Sequence, residues 1–155
     1  KLAARFDGDV EVSGDVRLTG ADLAEHFEVT DRSPVPPGTV VVLDGCDRVS
    51  VSNTAYDPRV AGVVSGAGGY RPGILLDHHG VTAGREPIAL VGKVFCRVDA
   101  TYGPVRIGDL LTTSPTPGHA MRASDQQRAF GSVLGKAMEG LESGTALLPI
   151  LVTLQ

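Results

Sequence analysis

The 155 residues carry a net charge of −4 with acidic and basic side chains interspersed, so no basic patch exists to track phosphates and nucleic acid is excluded as a partner. Hydrophobic residues make up 42% and Trp is absent, so a core is available but must be built from Val, Leu, Ile and Ala. No apolar run is long enough to span a bilayer and no basic-apolar leader opens the chain, whose Lys1 reads as the start of an excised piece.

The first twenty residues contain Gly8-Asp9-Val10-Glu11-Val12 and then Gly14-Asp15-Val16-Arg17-Leu18, one six-residue unit written twice. Apolar and polar residues alternate within each unit, which is the period of a strand, and Gly-Asp supplies a turn between units. Two such units cannot close a core, because coils of this kind need neighbours. Residues 1–20 therefore read as a β stem paired with the same segment of sister chains, with Val10, Val12, Val16 and Leu18 as its interior layers. The alternative is a hairpin folded back on its own domain.

Ala21 to Glu28 suits a helix or an extended strand equally. On a helix, the spacing of three would set Asp22, Glu25 and Glu28 on one side. Crowded carboxylates push their pKa values apart, so one can act as acid and another as base. The bland alternative is a solvated acidic face. A Pro-rich loop follows from Asp31 to Gly38.

From Thr39 onward the chain repeats itself. Gly38-Thr39-Val40-Val41-Val42, a polar loop and Gly62-Val63-Val64 answer to Gly108-Asp109-Leu110-Leu111-Thr112, a polar loop and Gly131-Ser132-Val133-Leu134. An apolar strand precedes each copy, Phe27 to Val29 in one and Val94 to Val98 in the other. Each Gly is expected to open a strand after a tight turn, where positive φ is cheap. A short helix is expected from Ser124 to Phe130, with Ser124 as N-cap. A last strand runs from Ala146 to Leu154. The fold class is all-β: a pseudo-twofold barrel or sandwich of two related modules over residues 21–155, with the short β stem in front.

Other residues carry weaker signals. Cys46 and Cys96 read as two small buried apolar side chains or as one bridge, and neither has metal-ligand spacing. His78-His79 reads as an exposed turn. His119 sits in a Pro117-Gly118 turn, and no nucleophile elbow accompanies Ser114 or Ser132. Gly66-Ala67-Gly68-Gly69 lacks the Lys-Ser/Thr of a phosphate loop. No cofactor and no metal are expected.

Gly20-Ala21-Asp22-Leu23-Ala24-Glu25-His26-Phe27-Glu28 resembles the Gly-Ala-Asp-Tyr-Ala-Glu-Tyr-Phe-Glu opening of the G2-type autoproteolytic domains at the C-terminus of phage preneck appendages and tail spikes. Val42 to Gly45, Gly62 to Gly66, Val91 to Val94 with Arg97 to Asp99, and Gly108-Asp109 agree in the same order. The resemblance implies a homotrimeric intramolecular chaperone that registers fibre chains and in some members cuts itself off just before the motif's Asp. It places the scissile bond at Ala21-Asp22, assisted by Asp22 and Glu25. His26 stands where the family has an aromatic residue and could shuttle a proton. Ala21 carries no hydroxyl, so an acyl shift through that side chain is unavailable, and cleavage is expected to be slow or absent.

The expected function is trimerisation and assembly at the end of a fibre-like protein. Its partners would be two further copies of itself and the rest of the fibre chain, without membrane insertion. The expected setting is a virion, an extracellular or cell-surface fibre, or the cytoplasm during assembly. The alternatives are a self-cleaving peptidase and a receptor- or glycan-binding fibre tip. Three Tyr and no Trp leave few stacking platforms for sugars.

Overall fold

Short runs of β-branched and aliphatic residues between Gly and Pro punctuators favour strands over helices, and the protein is all-β. The structure, a computed structural model, describes residues 3–30, 34–78 and 84–153. The strands are β1 (Asp22–Val29), β2 (Val40–Leu43), β3 (Arg48–Val51), β4 (Val60–Val64), β5 (Pro72–Leu76), β6 (Arg85–Asp99), β7 (Leu110–Thr113), β8 (Ala120–Arg122), β9 (Val133–Ala137) and β10 (Thr145–Thr153). One turn of helix, α1 (Gln126–Ala129), lies between β8 and β9.

All ten strands join one mixed sheet in the order β10-β9-β7-β8-β6-β4-β2-β3-β1-β5. Two further pairings, β10 with β6 and β6 with β1, turn the sheet back on itself. The pairings thus trace two circuits that share β6. The first half of this strand, from Arg85 to Gly92, pairs with β1, and the second half, from Val91 to Asp99, pairs with β10.

The two circuits are built alike. β2 runs antiparallel to both β3 and β4, as β7 does to β8 and β9. β1 lies parallel to β3, as the second half of β6 does to β8. Each module also carries one bulge at the matching place, between Val41 and Val42 and between Leu111 and Thr112. Gly38 (φ +90°) and Gly108 (φ +88°) turn the chain into β2 and β7, a conformation that costs any other residue.

The register of the repeat needs one correction. Gly62 pairs with Val41, and the residue that pairs with the equivalent Leu111 is Gly135, not Gly131. A Cβ on Gly62 would run into the Ala89 carbonyl oxygen, and one on Gly135 into that of Leu151. Gly131 meets nothing and serves only as a turn at φ +75°. The shared requirement is close strand crossing, which local sequence similarity does not reveal.

Two apolar clusters fill the interior. The larger runs from Val40, Val63 and Ala89 to Val98, Leu111, Leu134, Ile150 and Val152. The smaller gathers Val35, Val41, Val49, Val64 and Ile88, with Phe27 and Val29 packed against it. Cys96 is buried within the larger cluster, where burial drives its thiol far above the ordinary range. Cys46 is exposed, contrary to expectation, and both thiols are free.

One further expectation changes, and two open readings are narrowed. The helix is shorter than Ser124 to Phe130, and its N-cap is Asp125, which accepts from the backbone N–H groups of Gln127 (3.0 Å) and Arg128 (3.2 Å). Ser124 instead donates its N–H to the Tyr56 hydroxyl (3.0 Å). The Asp22 to Glu28 stretch is wholly extended, so no helix brings its carboxylates together. Finally, residues 3–20 form no strand in the single chain. A strand needs a neighbour to take its backbone hydrogen bonds, and among the described residues none pairs with this segment as a strand.

Candidate functional site

Asp22 opens β1, and the strand period decides what each acidic residue can reach. Asp22, Ala24 and His26 are buried on one face, while Leu23, Glu25 and Phe27 point the other way and are half-buried. Asp22 and Glu25 therefore lie on opposite faces, and the expected acid–base pair is not formed within one chain. Glu28 is exposed and lies 3.9 Å from Arg48. His26 shares the face of Asp22, but four residues of extended strand separate them by roughly 13 Å, too far for direct proton transfer.

The Ala21-Asp22 peptide is held tightly. Ala21 donates its N–H to the Arg71 carbonyl (2.8 Å), and its own carbonyl accepts from the Lys93 N–H (3.1 Å). Gly92 lets β6 press against this bond, since a Cβ there would come within 2.6 Å of the Ala21 oxygen and 2.9 Å of the Asp22 Cα. Gly92 and Lys93 belong to the Val91 to Val94 stretch that carries the family resemblance, but nothing local says that they face Ala21. A Gly inside a long strand run was the only available signal.

Asp22 is 5% exposed, and neither carboxylate oxygen has a hydrogen-bond partner. Burial pushes its pKa above the ordinary carboxylate range. The Ser65 hydroxyl opposes that rise from nearby without forming a hydrogen bond of ordinary geometry. Sequence reading missed Ser65, because its proximity comes from the β4–β6–β1 arrangement. A neutral carboxyl beside its own amide nitrogen can donate a proton to the amine that leaves when that bond is hydrolysed.

His26 is equally buried, with Nδ1 unpartnered. Its ring packs against His78, 5.0 Å between centroids, and His78 is exposed outside the strands, as expected; His79 lies outside the described residues. The His26 carbonyl accepts from Arg85 (2.6 Å), which also bridges Asp47 (2.7 Å) and Asp77 (2.6 Å). Burial raises the pKa of Glu86 on the neighbouring strand, and His26 opposes the shift. Among the described residues no group of three His, Cys, Asp or Glu side chains is disposed to hold a metal. No helix among them is long and apolar enough to cross a membrane.

The second candidate site is the leading segment. Val10, Val12, Val16 and Leu18 are 51–64% exposed, and Phe6 is 72% exposed. The backbone bends at Asp7-Gly8, at Ser13-Gly14 and again at Thr19, a spacing of six that keeps the sequence repeat in the conformation. The apolar residues of successive units thus recur at the same position relative to each bend.

Neither a protein-family model nor a curated protein matches this chain.

Proposed function

We propose that this chain is a trimerising assembly domain at the end of a fibre-like protein, gathering three copies so that their leading segments associate in register. The observation that carries the reading is the regular, uncovered apolar series Val10, Val12, Val16 and Leu18. Fully burying one such side chain contributes about 1.5–3 kcal/mol. Left bare on one chain, the series contributes none of it; shared among sister chains it offsets the cost of ordering the segment. A domain that associates first turns a meeting of three free stems into an intramolecular event. The resemblance of Gly20 to Glu28 to the G2-type opening supports the same reading.

Light scattering on the full chain, and on a form lacking residues 1–20, tests it. A mass of three chains is expected for the full chain, with the trimer retained but weakened after the deletion. A monomer in both forms would defeat the proposal.

A second reading, self-cleavage at Ala21-Asp22, is favoured by the buried, partnerless Asp22 carboxyl and by the Lys93 N–H on the Ala21 carbonyl. Against it stand the separation of Asp22 from Glu25 and the lack of a hydroxyl on Ala21. Incubating the purified chain and measuring intact mass decides it: no fragment beginning at Asp22 is expected. Accumulation of such a fragment would replace the first reading with this one.

A further inference from the structure

Leu23 pairs with Ile74 of β5 on one side and with Val91 of β6 on the other. Paired residues on adjacent strands project to the same face, so Ile74, Leu23 and Val91 form an apolar row across three strands. Ile74 is 43% and Val91 56% exposed, and Leu76, two residues along the same face, is 44% exposed. Among the described residues β5 is paired along one edge only, with β1. An edge strand that ends in three exposed aliphatic residues is a liability unless something covers it.

The place of this row says what covers it. Gly20 ends the leading segment against the backbone of Gly73 in β5, with no room for a Cβ. The root of the stem therefore lies directly against β5, and association of stems would bring this row of every copy close to the shared axis. A symmetric contact sets like residues against like, so a surface near the axis must not repel its own copy. Ile74, Leu23, Val91 and Leu76 carry no charge, and Glu25, which shares this face and pairs with Leu76, lies farther along β1 from the root of the stem at Gly20.

We infer that Ile74, Leu23, Val91 and Leu76 form the contact by which the globular parts of three copies of this chain meet, directly beneath the stems. This inference rests on the assembly reading above and names its surface. The three copies converge by side-chain packing, because edge-to-edge pairing of β5 with β5 would produce a twofold contact and a dimer.

The test uses the full 155-residue chain. The wild type, the double variant I74K/V91K and the control I107K, a lysine at an exposed aliphatic position outside the row, are compared by light scattering over a dilution series, with circular dichroism as the check on folding. Trimerisation of I74K/V91K is expected to need at least about tenfold more protein than the wild type, about 2.8 kcal/mol per trimer because the midpoint concentration of a monomer–trimer equilibrium varies as the square root of its dissociation constant, while I107K behaves as wild type. If the folded double variant trimerises at wild-type concentrations, the inference fails and the assembly reading stands. If the wild type is monomeric throughout, both fail.

Should the lysines prevent folding, V91C in a C46S background supplies the second arm. Mild oxidation should give a covalent dimer on a non-reducing gel, because two of three cysteines near an axis can pair. A chain that remains single while the wild type is trimeric would overturn the inference.

Discussion

Two buried aspartates show opposite solutions to the same cost. Asp22 has no hydrogen-bond partner, whereas Asp99 accepts from the Thr101 N–H (2.8 Å), the Thr101 hydroxyl (2.6 Å) and the Thr116 hydroxyl. Burial pushes Asp99 upward, but these hydrogen bonds outweigh it and hold its pKa below the usual carboxylate range. Asp99→Ala should therefore destabilise the domain by about 2–3 kcal/mol, read by urea denaturation at pH 7. That loss should shrink as pH falls below 3.8 through the lowered native pKa, where the carboxylate no longer contributes. Asp22→Asn should act the other way. The native pKa of Asp22 is raised, so the native state holds its proton longer than the unfolded chain. The wild type then loses stability as pH rises from 3.8 through the native value. At pH 7 the Asn variant should be more stable by about 1–3 kcal/mol, and the gap should close near pH 3.5. A wild type that is the more stable of the two at pH 7 would show that Asp22 is paired in solution.

Among the elements, β6 organises the molecule because each half serves a different circuit. Close crossings against it and against β10 set the sharpest local constraints. Gly62→Ala and Gly135→Ala would each place a methyl group into a carbonyl oxygen of the crossing strand. Each should cost at least about 2 kcal/mol, since neither backbone can move without opening a pairing. Gly69→Ala, where a Cβ meets nothing, should fall within about 0.5 kcal/mol of the wild type. Thermal unfolding of the three variants side by side checks both statements. The matched effect of the first two would also verify that Gly62 and Gly135, rather than Gly62 and Gly131, are the equivalent positions of the two modules.

For the molecule as a whole, the regular exposure of the stem and of the Ile74–Leu23–Val91 row predicts stability that depends on concentration. If three chains share these surfaces, Tm should rise with protein concentration. Val12→Asp with Val16→Asp should weaken that dependence and leave the far-ultraviolet circular dichroism of the globular part unchanged, because neither residue packs on its own domain. Calorimetry at two concentrations about a hundredfold apart measures it. A Tm independent of concentration in the wild type would count against a shared surface.

The all-β class, the two-module repeat and the six-residue period of the stem were all legible in the chain. They are local patterns, in which alternation of apolar residues and placement of Gly and Pro restrict each segment almost independently of the others. The candidate site was legible only in part. Asp22 and His26 stood out by type, but whether they shared a face with Glu25 depended on strand against helix, and the Ala21 to Glu28 stretch suits both. Pairing with β5 and β6 settled that question in favour of the strand. The neighbours of Asp22 lay beyond any local pattern. Ser65, Gly92 and the Arg71 carbonyl reach Ala21 and Asp22 only once β4, β5 and β6 fold around β1. The same holds for Gly135, whose role comes from the backbone of Leu151 crossing over it. Contacts between residues distant in the chain depend on the closed set of pairings, and no short stretch of residues contains that information.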